Sequence, residues 1–123
     1  CPPKVQLLGL LHDSSEAYIS DLPKPFKDCL DGYLDVEQTL SAAIYKKLLP
    51  SNIEITVNDL FYIDLVDRDL AILEGREFMG NAKWSSIETT MIDMVFVLKY
   101  SPEEAEEGFL TLYNYLLGEV QSE

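Results

Sequence analysis

The chain alternates helical apolar stripes with short polar or proline-bearing breaks. From Val5, the positions Val5, Leu8 and Leu11, joined by His12, recur at helical spacing, and Pro2-Pro3 suits a helix start, where a missing N–H costs nothing. This spacing predicts a first helix running to about residues 18–20, with His12 on its inward stripe. Asp21-Leu22-Pro23-Lys24-Pro25 then reads as a loop from its prolines, and residues 26–30 as a short turn. Residues 34–49 form the second expected helix, burying Val36, Leu40, Ala43, Ile44 and Leu48 and stopped by Pro50-Ser51-Asn52. Thr56 is placed to cap a third helix over residues 57–79, with Asp59 in its first turn and Gly80-Asn81 at its end. A fourth is expected over residues 85–100, carrying Ile87, Met91, Met94, Val95 and Leu98. Ser101-Pro102-Glu103-Glu104 is a helix-start signal of serine cap, first-turn proline and acids, and opens a last helix to about Gly118. Val95-Phe96-Val97 has strand propensity without a partner strand. The expected class is all-α, a single-domain bundle of about five helices, with no internal repeat or low-complexity segment.

Composition narrows the function more than the fold. At 123 residues, with 47% hydrophobic and 25% charged residues, the chain suits one soluble domain with a workable core. No apolar run approaches the roughly 20 residues needed to cross a bilayer, so no membrane role and a cytoplasmic location are expected. Nine basic against twenty-two acidic residues, a net charge of −13, exclude general attraction to nucleic acid. A small phosphorylated ligand held by a metal and a few local cations remains compatible with that charge. Cys1 and Cys29 show no CxxC spacing and no second histidine joins them, so both read as free thiols of a reduced compartment. Because the chain opens on Cys1, it is expected to be a fragment or a processed product.

The richest local chemistry is the run Leu10-Leu11-His12-Asp13-Ser14-Ser15-Glu16, extending to Asp21. On a helix, His12 and Glu16 are four residues apart and Asp13 and Glu16 three, so their side chains converge. An imidazole nitrogen beside a carboxylate suits a first-row divalent metal. A core histidine hydrogen-bonded to a nearby acid is the structural alternative, and the residues alone leave both readings open. On the third helix Asp67 falls among Leu60, Ile63, Leu70 and Leu73, where an acid needs a metal, strong hydrogen bonds or a counter-charge from Arg68 or Arg76, unless the stripe is rotated toward water. Asp64, Asp69 and Glu74 read as outward or flanking charges.

The segment from His12 to Lys27 resembles the middle motif of the HD-domain metal-dependent phosphohydrolases, in particular their small branch of 5′-deoxynucleotidases and deoxynucleoside triphosphate hydrolases. Residues 65–79, Leu-Val-Asp-Arg-Asp-Leu-Ala-Ile-Leu-Glu-Gly-Arg-Glu-Phe-Met, are similar to a later helix of the same family. The resemblance implies an HD-type helical bundle and a divalent metal ion (Mn, Co, Mg, Zn or Fe) held by His12, Asp13 and Asp67. It also implies Glu16 as catalytic acid or base and Asp21 as a second acid beside the nucleotide. Lys24, Lys27 and Arg68 are positioned to offset phosphate charge. The implied substrate is a small nucleotide, a deoxynucleoside 5′-phosphate or triphosphate, and a homodimer stays open. One departure stands out: the family's first ligand is an upstream histidine, and none precedes His12, so the first helices of such a bundle are expected to be lacking. Ser15 for alanine and Ser20 for glycine are smaller departures. The rival expectation is a non-catalytic HD-like helical module used for binding or dimerisation.

Overall fold

The computed structural model describes residues 1–79, 82–92 and 100–122. Regular structure among the described residues is entirely helical: α1 (Pro3–Leu11), α2 (Glu16–Ile19), α3 (Lys24–Lys27), α4 (Tyr33–Leu48), α5 (Val57–Met79), α6 (Ala82–Ser85) and α7 (Pro102–Ser122). The all-α class is as the sequence predicts. The chain forms two compact units, Cys1–Glu54 with Phe109–Glu123, and Ile55–Gly108. No described helix is long and apolar enough to cross a membrane.

The first unit is built on Leu7 and Leu11 of α1 and Leu116 and Val120 of α7, all buried, with Tyr45, Leu48 and Ile53 packed around them. Each pair is spaced i, i+4 and so presents two side chains one turn apart on one face. Burying a leucine at such a position contributes about 1.5–3 kcal/mol. Half-buried Tyr113 donates its hydroxyl to the Leu48 carbonyl at 2.8 Å, satisfying an acceptor that the end of α4 would otherwise leave open.

Two expectations for this unit are corrected. The first helix does not run on through Glu16 but stops at Leu11. His12 Nδ1 donates to the Gly9 carbonyl at 2.6 Å and Ser14 Oγ to the Leu11 carbonyl at 2.6 Å. These side chains take acceptors that the next helical N–H groups would need, which is how short polar side chains end helices. Residues 12–15 make a turn and Glu16 restarts the chain as α2. On α4 no side chain is fully buried. Leu40, Ile44 and Leu48 are half-buried, while Val36 and Ala43 of the expected inner face are exposed.

In the second unit Thr56 and Asp59 form the expected start of α5. Thr56 N–H and Oγ1–H both donate to Asp59 Oδ2, and Asp59 N–H donates back to Thr56 Oγ1. Ser101 and Glu104 repeat the arrangement at the start of α7. The inward stripe of α5 differs from the predicted one. Asp69, Ile72 and Leu73 are buried with Ile63, whereas Leu60 is exposed and Leu70 half-buried. Asp69, Ile72, Leu73 and Arg76 follow i, i+3, i+4, i+7 spacing, so the buried face contains two charged residues that a reading of apolar letters passes over.

Those two residues organise the segment after α6. Asp69 Oδ2 accepts the N–H groups of Thr90 (2.7 Å), Met91 (2.5 Å) and Ile92 (3.2 Å). Arg76 donates to the carbonyls of Trp84 and Ile87. Residues 86–92 are therefore turn, bend and irregular chain, not the predicted start of a fourth helix: donors and acceptors a helix would use are turned toward α5. The Trp84 ring lies on Gly75, where a Cβ would stand 2.5 Å from the indole. Gly80-Asn81 as the end of α5, the helix positions Met94, Val95 and Leu98, and the strand-prone Val95-Phe96-Val97 lie outside the described residues.

Candidate functional site

His12 and Asp13 sit at the turn where α1 ends. A carbonyl can only accept, so the 2.6 Å contact of Nδ1 with Gly9 O places a proton on Nδ1. That leaves Nε2 turned to Asp13 Oδ2 at 3.0 Å. A neutral imidazole nitrogen and a carboxylate oxygen are both acceptors, and at this separation they require a cation to share, a proton or a metal ion. A histidine oriented through one nitrogen by a backbone carbonyl, with the other beside a carboxylate, is the arrangement of metal-ligating histidines. The pair is accessible: His12 is half-buried and Asp13 exposed.

Glu16 opens α2 three residues on, its N–H bonded to the Asp13 carbonyl at 2.9 Å. Desolvation raises its carboxyl above the ordinary range, the charges of Asp13 and Asp21 add to this, and Lys27 opposes it. The loss of solvent and the charges of Asp13 and Asp21 thus favour the protonated form of Glu16, which suits an acid–base group.

Lys27, at the end of α3, does not stand clear for a phosphate. Its ammonium lies 2.7 Å from Glu37 Oε1 of α4 and 3.7 Å from Glu16 Oε1. The hydrogen bond to Glu37 chiefly holds its pKa above the ordinary lysine range. Glu37 lies outside the apolar pattern of α4, and only its contact with Lys27 brings it into the site. Tyr45, a further turn along α4, has its phenol pushed up by burial and then by the charge of Asp13.

Two hollows of the first unit meet at the His12-Asp13 pair. One, about 440 Å³, is polar and lined by Ser15, Glu16, Lys27, Glu37, Gln38, Ser41 and Tyr45. The other, about 860 Å³, is apolar, with Leu10, Leu40, Ala43, Ile44, Leu48, Tyr18 and Phe109 around it and Lys47 among its lining residues. His12 and Asp13 line both.

The remaining expected site residues are on α5 and α3. Asp67 is exposed, on the α5 turn preceding the buried Asp69, which reverses the roles expected for these two acids. Arg76 is committed to backbone carbonyls, and Arg68 Nη1 donates to Thr90 Oγ1 at 3.3 Å and lies 3.7 Å from Asp69 Oδ1. Lys24 opens α3, its side chain outside the described residues. Asp21 is exposed in the loop after Ser20.

No family model matches the chain, and no solved structure matches it. It is similar to the protein YfdR of Escherichia coli (strain K12), itself described as uncharacterized, at 29% identity over 119 residues. The match covers 94% of this chain and 64% of YfdR, so the chain spans less than two thirds of the length of that relative.

Proposed function

We infer that the chain carries most of the active site of a metal-dependent phosphohydrolase acting on a small nucleotide. The observation that supports this best is the His12 Nε2 to Asp13 Oδ2 approach of 3.0 Å, with Nδ1 tied to the backbone. Imidazole and carboxylate donors fit a first-row divalent ion, and the family resemblance supplies Asp67 as the third proposed ligand. Such an ion supplies positive charge to a phosphoryl oxygen and makes water a better nucleophile. Glu16 handles the proton: desolvation and the charges of Asp13 and Asp21 raise its carboxyl above the ordinary range, so it can deliver a proton to the leaving sugar oxygen or accept one from the attacking water. The charge of Asp21 helps raise the Glu16 carboxyl. The His12-Gly9 bond fixes the imidazole against rotation, so the donors are set before substrate arrives.

The rival reading, a non-catalytic helical module for binding or dimerisation, draws on the apolar hollow between α1 and α4. A phosphate-release screen over deoxynucleoside mono- and triphosphates, with Mn²⁺, Co²⁺ or Mg²⁺ supplied, separates the two. Release that disappears in Glu16→Ala while metal still binds supports the hydrolase. Absence of both metal binding and phosphate release in the full chain rejects it.

A further inference from the structure

Resting on that reading, we propose that Glu37 is a positioning residue of the site: it fixes the Lys27 ammonium so that Lys27 holds the Glu16 carboxyl in place. A lysine is a compact charge on a flexible four-carbon stem and ordinarily carries its ammonium out to water. Here that freedom is removed from three sides. Glu37 Oε1 bonds the ammonium at 2.7 Å, the Tyr33 ring lies under it at 5.8 Å from its centroid, and Glu16 Oε1 faces it at 3.7 Å. Tyr33 and Glu37 are spaced i, i+4 on α4, so one helix face supplies both halves of the clamp. Tyr33 is itself fastened across the loop, its hydroxyl donating to Ser20 O at 2.9 Å just beyond the end of α2. The three charged side chains are only 17–27% exposed.

One cation shared by two carboxylates away from bulk water is a poor way to gain stability, since the desolvation is unfavourable and one negative charge is left over. It is an effective way to hold a carboxyl at a fixed place. The contact lengths rank the two roles: Glu37 is the anchor and Glu16 the group positioned. Lys27 is consequently occupied by Glu37 and Glu16 and is not the phosphate cation that its place in the sequence suggests.

The test uses the full chain and the variants Glu37→Gln, Glu16→Gln, Lys27→Met and Lys27→Arg. The ¹⁵N signal of the Lys27 ammonium, observable only where hydrogen exchange is slowed by fixed partners, is expected in the parent chain and in Glu16→Gln, and lost in Glu37→Gln. A signal unchanged in Glu37→Gln overturns the proposal whether or not the chain turns over a substrate. With Mn²⁺ and the nucleotide that releases phosphate, Glu37→Gln and Lys27→Met are expected to lower kcat about 10- to 100-fold at unchanged KM and Mn²⁺ affinity, the scale of a displaced reacting group. Lys27→Arg is expected to restore most of it. A raised KM with kcat unchanged in Lys27→Met would make Lys27 a phosphate ligand and overturn the proposal. A parent chain that binds no metal and releases no phosphate defeats the hydrolase reading, while the ammonium signal still decides what Glu37 does.

Discussion

Asp13 in the first unit and Asp69 in the second each lie beside a basic side chain, His12 and Arg68, yet the fold treats them in opposite ways. Asp69 is completely buried, one of its oxygens accepts three successive backbone N–H groups and the other faces Arg68. Its charge is consumed in holding residues 90–92 to α5. Asp13 is exposed, shares its surroundings with Glu16 and Asp21, and meets an imidazole nitrogen that cannot donate unless protonated. A carboxylate whose lone pairs are filled by backbone donors supports structure. One crowded by like charges beside an imidazole is where we propose that a ligand is held.

The sharpest way to break this comparison is to remove Asp69. Asp69→Ala removes the acceptor of three successive N–H groups and should give the largest loss of the set, lowering the thermal midpoint by roughly 10 °C or more in a circular-dichroism melt. Asp69→Asn, which keeps an acceptor, should lose less. The same residue gives a pH dependence. Backbone hydrogen bonds, led by that of Met91, hold its carboxyl below the ordinary aspartate range. As pH falls through the unfolded-state value of about 3.9, the unfolded chain takes up a proton that the native chain refuses. This contribution to stability is therefore full above that pH and is lost as pH falls through the lower native value. Acid titrations of the parent chain and Asp69→Asn should diverge in this window; coincident curves would show that the carboxylate is not held as described.

Gly75→Ala follows in size. Alanine favours a helix by itself, but its Cβ would meet the Trp84 ring at 2.5 Å, so a net loss of about 1–3 kcal/mol is expected in denaturant unfolding. The first unit should respond in the other direction at Ser20. Its φ of 66° and ψ of 157° lie in a region tolerated essentially by glycine alone. Ser20→Gly should stabilise by about 1 kcal/mol, and a loss would mean that the serine side chain contributes something the backbone argument omits. Smallest of all, Asp67→Ala should change stability by no more than about 0.5 kcal/mol, since the residue is exposed, even though the neighbouring Asp69 cannot be touched without cost.

How far these features could be read from the sequence depended on whether they are local. The start of α5 at Thr56, the start of α7 at Ser101 and the all-α class follow from neighbours within one turn, and the structure has them where the residues indicate. The end of α1 was harder: apolar periodicity continues past Leu11, and only the competition of the His12 and Ser14 side chains for carbonyls stops the helix. The buried face of α5 was read incorrectly because Asp69 and Arg76 look polar in a one-dimensional pattern, and their partners lie 8 to 23 residues away. Of the site, the His12-Asp13-Glu16-Asp21 cluster was legible from its motif. Glu37 was not, since its relation to Lys27 depends on how α3 packs on α4.

The most direct measurement is Mn²⁺ titration of the full chain by calorimetry, beside His12→Ala, Asp13→Asn, Asp67→Ala and Asp69→Asn, each checked for folding by circular dichroism. The expected result is saturable binding that is abolished or weakened at least tenfold in the first three variants while their melts stay close to that of the parent, with Asp69→Asn losing stability and not the ligand set. Binding that is absent from the parent chain, or indifferent to His12 and Asp13, would contradict the assignment of the exposed pair as a metal centre.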